Sequence, residues 1–204
     1  MNLRNKIPYF LKHALGDGEL PVAYKRLQNI IFDGDMYYDT NKKLTGSDVI
    51  TMSIYTATSS GQNLFGAYSG TGAGNINLSI YVYATNSSQS YFRYGTTLLR
   101  PTLGTGRKTI TFGGGGSTDG FLRDVTYDSD EFETTDVAWI GGLPNSSSPK
   151  FTGKIYGDIV VGNRLKYIPC ERVSDGAIGY YEVFTKTFLE SEGTGTPTTD
   201  GYAI

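Results

Sequence analysis

From Tyr24 onward, apolar residues fall at alternate positions, in runs broken by turn residues about every eight to fifteen positions. A period of two is the repeat of a pleated strand, whose successive side chains point to opposite faces, whereas a helix would need three- and four-residue spacing. In INLSIYVYA, Ile76, Leu78, Ile80 and Val82 point one way and Asn77, Ser79, Tyr81 and Tyr83 the other. DVITMSIYT repeats this with Ile50, Met52 and Ile54. FTGKIYGDIVVG does so with Phe151, Ile155, Ile159 and Val161, and its Gly153 and Gly157 are expected to leave room for a facing layer. Asp33 and Gly34, between NIIF and DMYYDT, predict a two-residue hairpin, and FGGGGSTDGF predicts a connection. Many half-buried strands in one chain predict two packed antiparallel sheets, an all-β sandwich or jelly roll. The 27 glycines and 16 tyrosines agree, and 204 residues are enough to bury a core without disulfide or metal staples.

Several function classes fall away on charge and cysteine content. A net charge of -2 is wrong for a surface that must neutralise phosphates, so no nucleic-acid partner is expected. Cys170 is the single cysteine, so no internal disulfide can form and folding in a cytoplasm is expected. No run is long and apolar enough to predict membrane insertion. At the amino terminus Lys12 and His13 interrupt the apolar residues, which argues against an export signal. Pro8 suits the first turn of a short helix and Gly16 the position after its end, with Ile7, Phe10, Leu11, Ala14 and Leu15 along one face. So short a helix is stable only when docked, so residues 1–22 are expected to form an attachment arm with Ile7, Phe10, Leu11 and Leu15 as its contacts.

No catalytic residue, metal site or cofactor is expected. DSDEFE places Asp128, Asp130 and Glu133 near the spacing of a glycosidase Glu-x-Asp-x-x-Glu, in which nucleophile and acid stand roughly 5 Å apart, but an aspartate in the first place reaches less far. A solvated acidic loop is the simpler reading. Asp128, Asp130 and Glu131 offer oxygens to calcium without the usual twelve-residue loop, and a weak site in 124–136 stays open. His13 has no cysteine near it for zinc, and GTGAG and GGGG lack the lysine and helix of a phosphate loop. Trp139 in VAWIGG reads as core. The polar face is more informative: Tyr81 and Tyr83, with Tyr91 and Arg93 on a neighbouring strand, put rings beside Asn77 and Ser79. Sugars stack C–H faces on such rings and bond amides and guanidiniums. Cross-strand aromatic pairing is the alternative.

A resemblance adds to these readings. YKRLQNIIFDGDMYYDT (24–40) resembles the opening hairpin of the laminin G-like, concanavalin A-like jelly-roll modules of phage and prophage structural proteins, with their Y-x-x-L-x-x-I…Y-I-D-T pattern. NLFGAYSG, YFRYGT and FTGKIYGDIVVGN follow in the family's order, and IPCERVSDGAIGYYEVFTKTFLESEGTGT resembles its closing segment. The likeness covers 24–196 and departs from the pattern at Met36, Tyr37, Glu182 and Leu189. In the closing segment Pro169 is expected to end a strand, and Ser174, Asp175 and Gly176 to turn the chain. Ile178 and Tyr180 would pack inward, Phe184 and Phe188 would continue an apolar edge, and Cys170 would be a small buried filler. The resemblance implies a jelly roll over 23–204 in a non-enzymatic virion protein of a tail fibre, head fibre or capsid decoration, folded first in the bacterial cytoplasm. Expected partners are other virion proteins through the arm, further copies of the chain, most simply in a trimer, and a host-surface glycan. The alternatives are a purely structural decoration or adaptor protein and, third, a glycoside hydrolase.

Overall fold

A computed structural model describes residues 20–56, 61–68, 76–82, 90–95, 97–100, 103, 106–113, 116–117, 132–144, 146 and 150–203. Its strands are β1 (Tyr24–Arg26), β2 (Asn29–Asp33), β3 (Met36–Thr45), β4 (Val49–Thr56), β5 (Gln62–Ala67), β6 (Asn77–Val82), β7 (Tyr91–Gly95) and β8 (Thr97–Leu99). They continue with β9 (Arg107–Gly113), β10 (Gly116–Ser117), β11 (Glu133–Ile140), β12 (Thr152–Val161), β13 (Leu165–Arg172), β14 (Ile178–Glu182), β15 (Thr187–Leu189) and β16 (Glu192–Gly193). They form two antiparallel sheets. The first runs β10-β9-β4-β12-β13-β14-β15, with β1 against β13 and β2 against β12; the second runs β16-β3-β11-β5-β6-β7-β8. The protein is an all-β sandwich.

The alternating residues make the sandwich by meeting across it. Ile50, Met52 and Ile54 of β4 and Ile155, Ile159 and Val161 of β12 are buried in one cluster with Leu78, Ile80 and Val82 of β6. Aromatic side chains tie the layers edge to face: Phe92 meets Phe112 at 5.0 Å between ring centroids, Tyr38 meets Tyr180 at 5.0 Å, and Phe32 meets Tyr38 at 5.8 Å. Each such fully buried side chain contributes about 1.5–3 kcal/mol through the area it removes from water.

Three local expectations are corrected. Asp33 and Gly34 do not close a hairpin: β2 pairs with β12 in the first sheet and β3 with β11 in the second, so the turn carries the chain from layer to layer. Asp33 makes this possible, because its carboxylate accepts hydrogen bonds from the Asp35 and Thr196 amides, both at 2.9 Å. Pro169 does not end a strand but continues β13 opposite Tyr180. On its other edge β13 pairs with β12 at Leu165–Tyr167 and with β1 at Cys170–Arg172, so the proline falls in the gap where no partner asks for its missing N–H. Gly153 and Gly157 have different tasks. A side chain at Gly153 would collide with the Tyr55 carbonyl and the Phe151 ring, whereas Gly157 adopts φ 60° at a bulge with open space beside it.

The remainder of the closing segment packs as its alternation requires, with one exception. Arg172 forks onto Asp175 at 3.0 and 2.6 Å in the β13–β14 turn, Ile178 and Tyr180 lie on the core, and Phe184 stands exposed in the next turn. Cys170 is buried on the outer side of the first sheet with Ile168, Tyr181 and Leu20, against which Phe188 and Tyr24 pack. Residues 20–22 of the expected arm thus run in a turn with Leu20 docked on this domain; Ile7, Phe10, Leu11 and Leu15 lie outside the described residues. At the other end residues 198–203 form a strap beside the first strands, bridging Ile31 to Thr198 and Leu27 to Tyr202. Asp200 of the strap accepts from Asn29 Nδ2 at 2.7 Å and pairs with Lys154 at 2.7 Å.

Glu182, buried at the end of β14, organises the turn into β15. Its carboxylate accepts from the amides of Lys166 (3.4 Å), Phe184 (3.1 Å) and Thr185 (2.6 Å) and from the Thr185 hydroxyl. Burial disfavours the charge, but these donors outweigh it and hold the carboxyl below its ordinary 4.5. A depressed folded value means that the stabilisation is complete above the unfolded pKa and is lost as pH falls through the folded one. We predict that Glu182→Ala lowers stability at pH 7 by about 2–3 kcal/mol in urea denaturation, and that the gap to wild type narrows in acid. An equal gap at both pH values would contradict this role.

Candidate functional site

The outer face of the second sheet is where the predicted ligand residues converge. β6 and β7 pair with Tyr81 opposite Tyr91, Ser79 opposite Arg93 and Asn77 opposite Gly95, so alternation places all of these on the face away from the core. The Tyr81 and Tyr91 rings stack at 5.7 Å with 22° between planes, and both are half-buried. Arg100 lies over Tyr91 at 5.4 Å, and Arg93 over Tyr68 at 5.5 Å. Each guanidinium is held on a ring face, a geometry that restrains it while sparing its N–H donors. Tyr81, Tyr91 and Arg93 therefore form one patch, to which Tyr68 and Arg100 belong as well. Tyr83 lies outside the described residues.

Asn77 and Ser79 do not present themselves to solvent as expected; each is 2% exposed. Both side chains are short and sit on a central strand, with Ser79 between Gly66 and Arg93 in register. A ligand on this face would meet rings and guanidiniums, not that amide and hydroxyl.

Further along the same face, Trp139 of β11 stacks on Tyr37 of β3 at 4.0 Å with 20° between planes. Ala138 and Ile140 are buried to either side, so Trp139 points outward, and reading it as core missed the alternation of its own strand. Lys150 lies 5.3 Å above the Tyr37 ring, and the Tyr37 hydroxyl donates to Glu192 Oε2 at 3.0 Å. Partial burial and then the Glu192 carboxylate push the Tyr37 phenol up from its ordinary 10.0. The outward alternation in VAWI was the signal that could have found this second aromatic pair.

The acidic near-motif is not assembled in the described part of the structure. Glu133 opens β11 as an exposed side chain 3.6 Å from Lys43, while Asp128, Asp130 and Glu131 lie outside the described residues. Among the described residues no group of His, Cys, Asp and Glu side chains could hold a metal ion. No known family model matches the chain, and no curated protein matches it in sequence.

Cys170 can be judged as a nucleophile on its surroundings. Burial pushes its thiol up to about 12, offset only in part by a hydrogen bond donated by the Tyr181 backbone amide and by the charge of Arg26. It is a packed apolar group with negligible thiolate at neutral pH. We predict that Cys170 does not react with a disulfide reagent such as DTNB at pH 8 in the folded protein, and that its labelling rate in urea follows global unfolding. Fast labelling of the native state would show an accessible, activated thiol.

Proposed function

We propose that this chain is a non-enzymatic structural module of a phage virion, a jelly roll of the laminin G-like, concanavalin A-like kind displayed on a tail, fibre or capsid. In this reading it contacts carbohydrate on the host surface. The observation that carries it is the Tyr81–Tyr91 stack with Arg93 and Arg100 held on adjoining rings, which offers apolar faces and oriented donors together. The order of motifs over 24–196 supports the virion setting. The arm of residues 1–22, with Ile7, Phe10, Leu11 and Leu15, would attach the module to other virion proteins or to further copies of itself, most simply in a trimer.

A purely structural role draws on the same patch, because stacked cross-strand tyrosines also stabilise sheets and subunit contacts. A glycoside hydrolase is the third reading; of the three carboxylates it would need, Glu133 stands exposed at the start of β11, 3.6 Å from Lys43.

A glycan array of bacterial surface polysaccharides separates these readings. Wild type should bind a restricted set, and Tyr91→Ala or Arg93→Ala should weaken that binding about tenfold or more while leaving the melting temperature within a few degrees. Absence of binding to any glycan, together with recovery of the protein in purified particles, would favour the decoration reading; release of reducing sugar would establish an enzyme.

A further inference from the structure

The first sheet carries a pocket that plays no part in the reading above. The link between β1 and β2, the β12 bulge at Gly157 and Asp158, the 202–203 part of the strap and Arg107 of β9 line a volume of about 460 Å³. Pockets of about 300–1,000 Å³ enclose small molecules, so this one has room for one or two sugar rings. We propose that it binds a carboxylated sugar, such as a hexuronic acid, with Arg107 holding the carboxylate.

The charge balance points to an anion. Asp158 is the carboxylate that lines the pocket, and it is already engaged by Arg26 at 2.6 Å and Lys166 at 3.2 Å. Arg107 is exposed and forms no ion pair among the described residues. Its guanidinium lies 4.2 Å above the Tyr156 ring, which restrains it without using an N–H donor on an acceptor oxygen. A planar fork held in place beside a cavity is matched by a carboxylate, which accepts two parallel hydrogen bonds from it.

The lining also distinguishes a sugar acid from a phosphate. Phosphate sites typically add backbone N–H groups to their cations, but here the amides of Leu27, Gln28, Gly157 and Ala203 are spent on the carbonyls of Pro169, Gly201, Gln28 and Arg26. One guanidinium without an ion pair among the described residues suits the single charge of a carboxylate. Tyr202 supplies aromatic surface: the residue is 51% exposed, its hydroxyl is anchored on Glu171 Oε2 at 2.8 Å, and Lys25 Nζ lies over one face of its ring at 5.3 Å, leaving the other for a ligand. Such a fixed ring can take the C–H face of a sugar. Gly157 keeps the space open, since a side chain there would meet nothing within 4 Å and would occupy the cavity's margin.

Calorimetric titration of the full chain with digalacturonate tests the proposal, with its neutral methyl ester, inorganic phosphate and a tetra-aspartate peptide as comparisons. Wild type should bind the acid saturably and the ester at least tenfold more weakly. Arg107→Ala should lose roughly ten- to hundredfold in affinity, with Arg107→Lys between. Gly157→Asn, which tolerates the left-handed backbone, should also weaken binding, and Tyr91→Ala on the opposite sheet should leave it unchanged. No saturable binding by wild type, equal binding by Arg107→Ala, or loss of binding in Tyr91→Ala would overturn the site. Phosphate or the peptide competing as strongly as digalacturonate would overturn the ligand class.

Discussion

β12 pairs with β4 along both halves of one edge, while its other edge changes partner midway. Residues Thr152–Tyr156 face β2, and Ile159–Val161 face β13. The change of partner needs a break in the ladder, and Gly157 supplies it by taking a left-handed conformation at the bulge. Without that break β2 and β13 would compete for the same hydrogen-bonding edge, and the first sheet could not seat both the opening and the closing segments of the chain. The positions of β1 and of the strap follow from the same accommodation, because both adjoin the gap that β12 leaves. So does the pocket at Arg107, one wall of which is the bulge itself.

Two buried carboxylates show how the sandwich handles charge at its turns. Asp48 is 2% exposed yet accepts from the Thr45 amide at 2.7 Å and from Arg164 Nε at 2.9 Å, while Arg164 itself remains half in solvent. Glu182 takes its compensation from three amides and a hydroxyl. In each case backbone amides close in sequence are among the donors, Thr45 for Asp48 and Phe184 and Thr185 for Glu182, so the charge and the turn stabilise one another. Removing either carboxylate takes away the charge but leaves those amides without an acceptor, a cost that an exposed ion pair does not carry.

What the sequence disclosed follows the range of each physical signal. Alternation in β4, β6 and β12 is a local consequence of pleating, so the core residues Ile50, Ile80 and Ile155 were legible. Asp33 and Gly34 have the chemistry of a turn, but whether the flanking strands pair with each other is decided by β12 and β11, about a hundred residues away. Pro169 was misread for a similar reason, since its tolerance rests on a gap between β12 and β1 that no neighbouring residue announces. On the outer face of the second sheet, alternation placed Tyr81, Tyr91 and Arg93 together, but alternation carries no information on depth, and Asn77 and Ser79 are buried there. Trp139 differs, because the alternation of its own strand, with Ala138 and Ile140 buried, already sets it on the outer face despite the general preference of tryptophan for the core.

The strap at 198–203 has a consequence for how the protein is made. Asn29 bonds Asp200 across 171 residues of chain, and Arg26, Gln28 and Ile31 exchange backbone hydrogen bonds with the same stretch. β2 therefore cannot satisfy its polar groups on that side until almost all of the described sequence has been synthesised. On a ribosome the opening strands must wait, exposing an edge that other chains could pair with. An opening strand of the described fold is thus completed only by one of its latest segments.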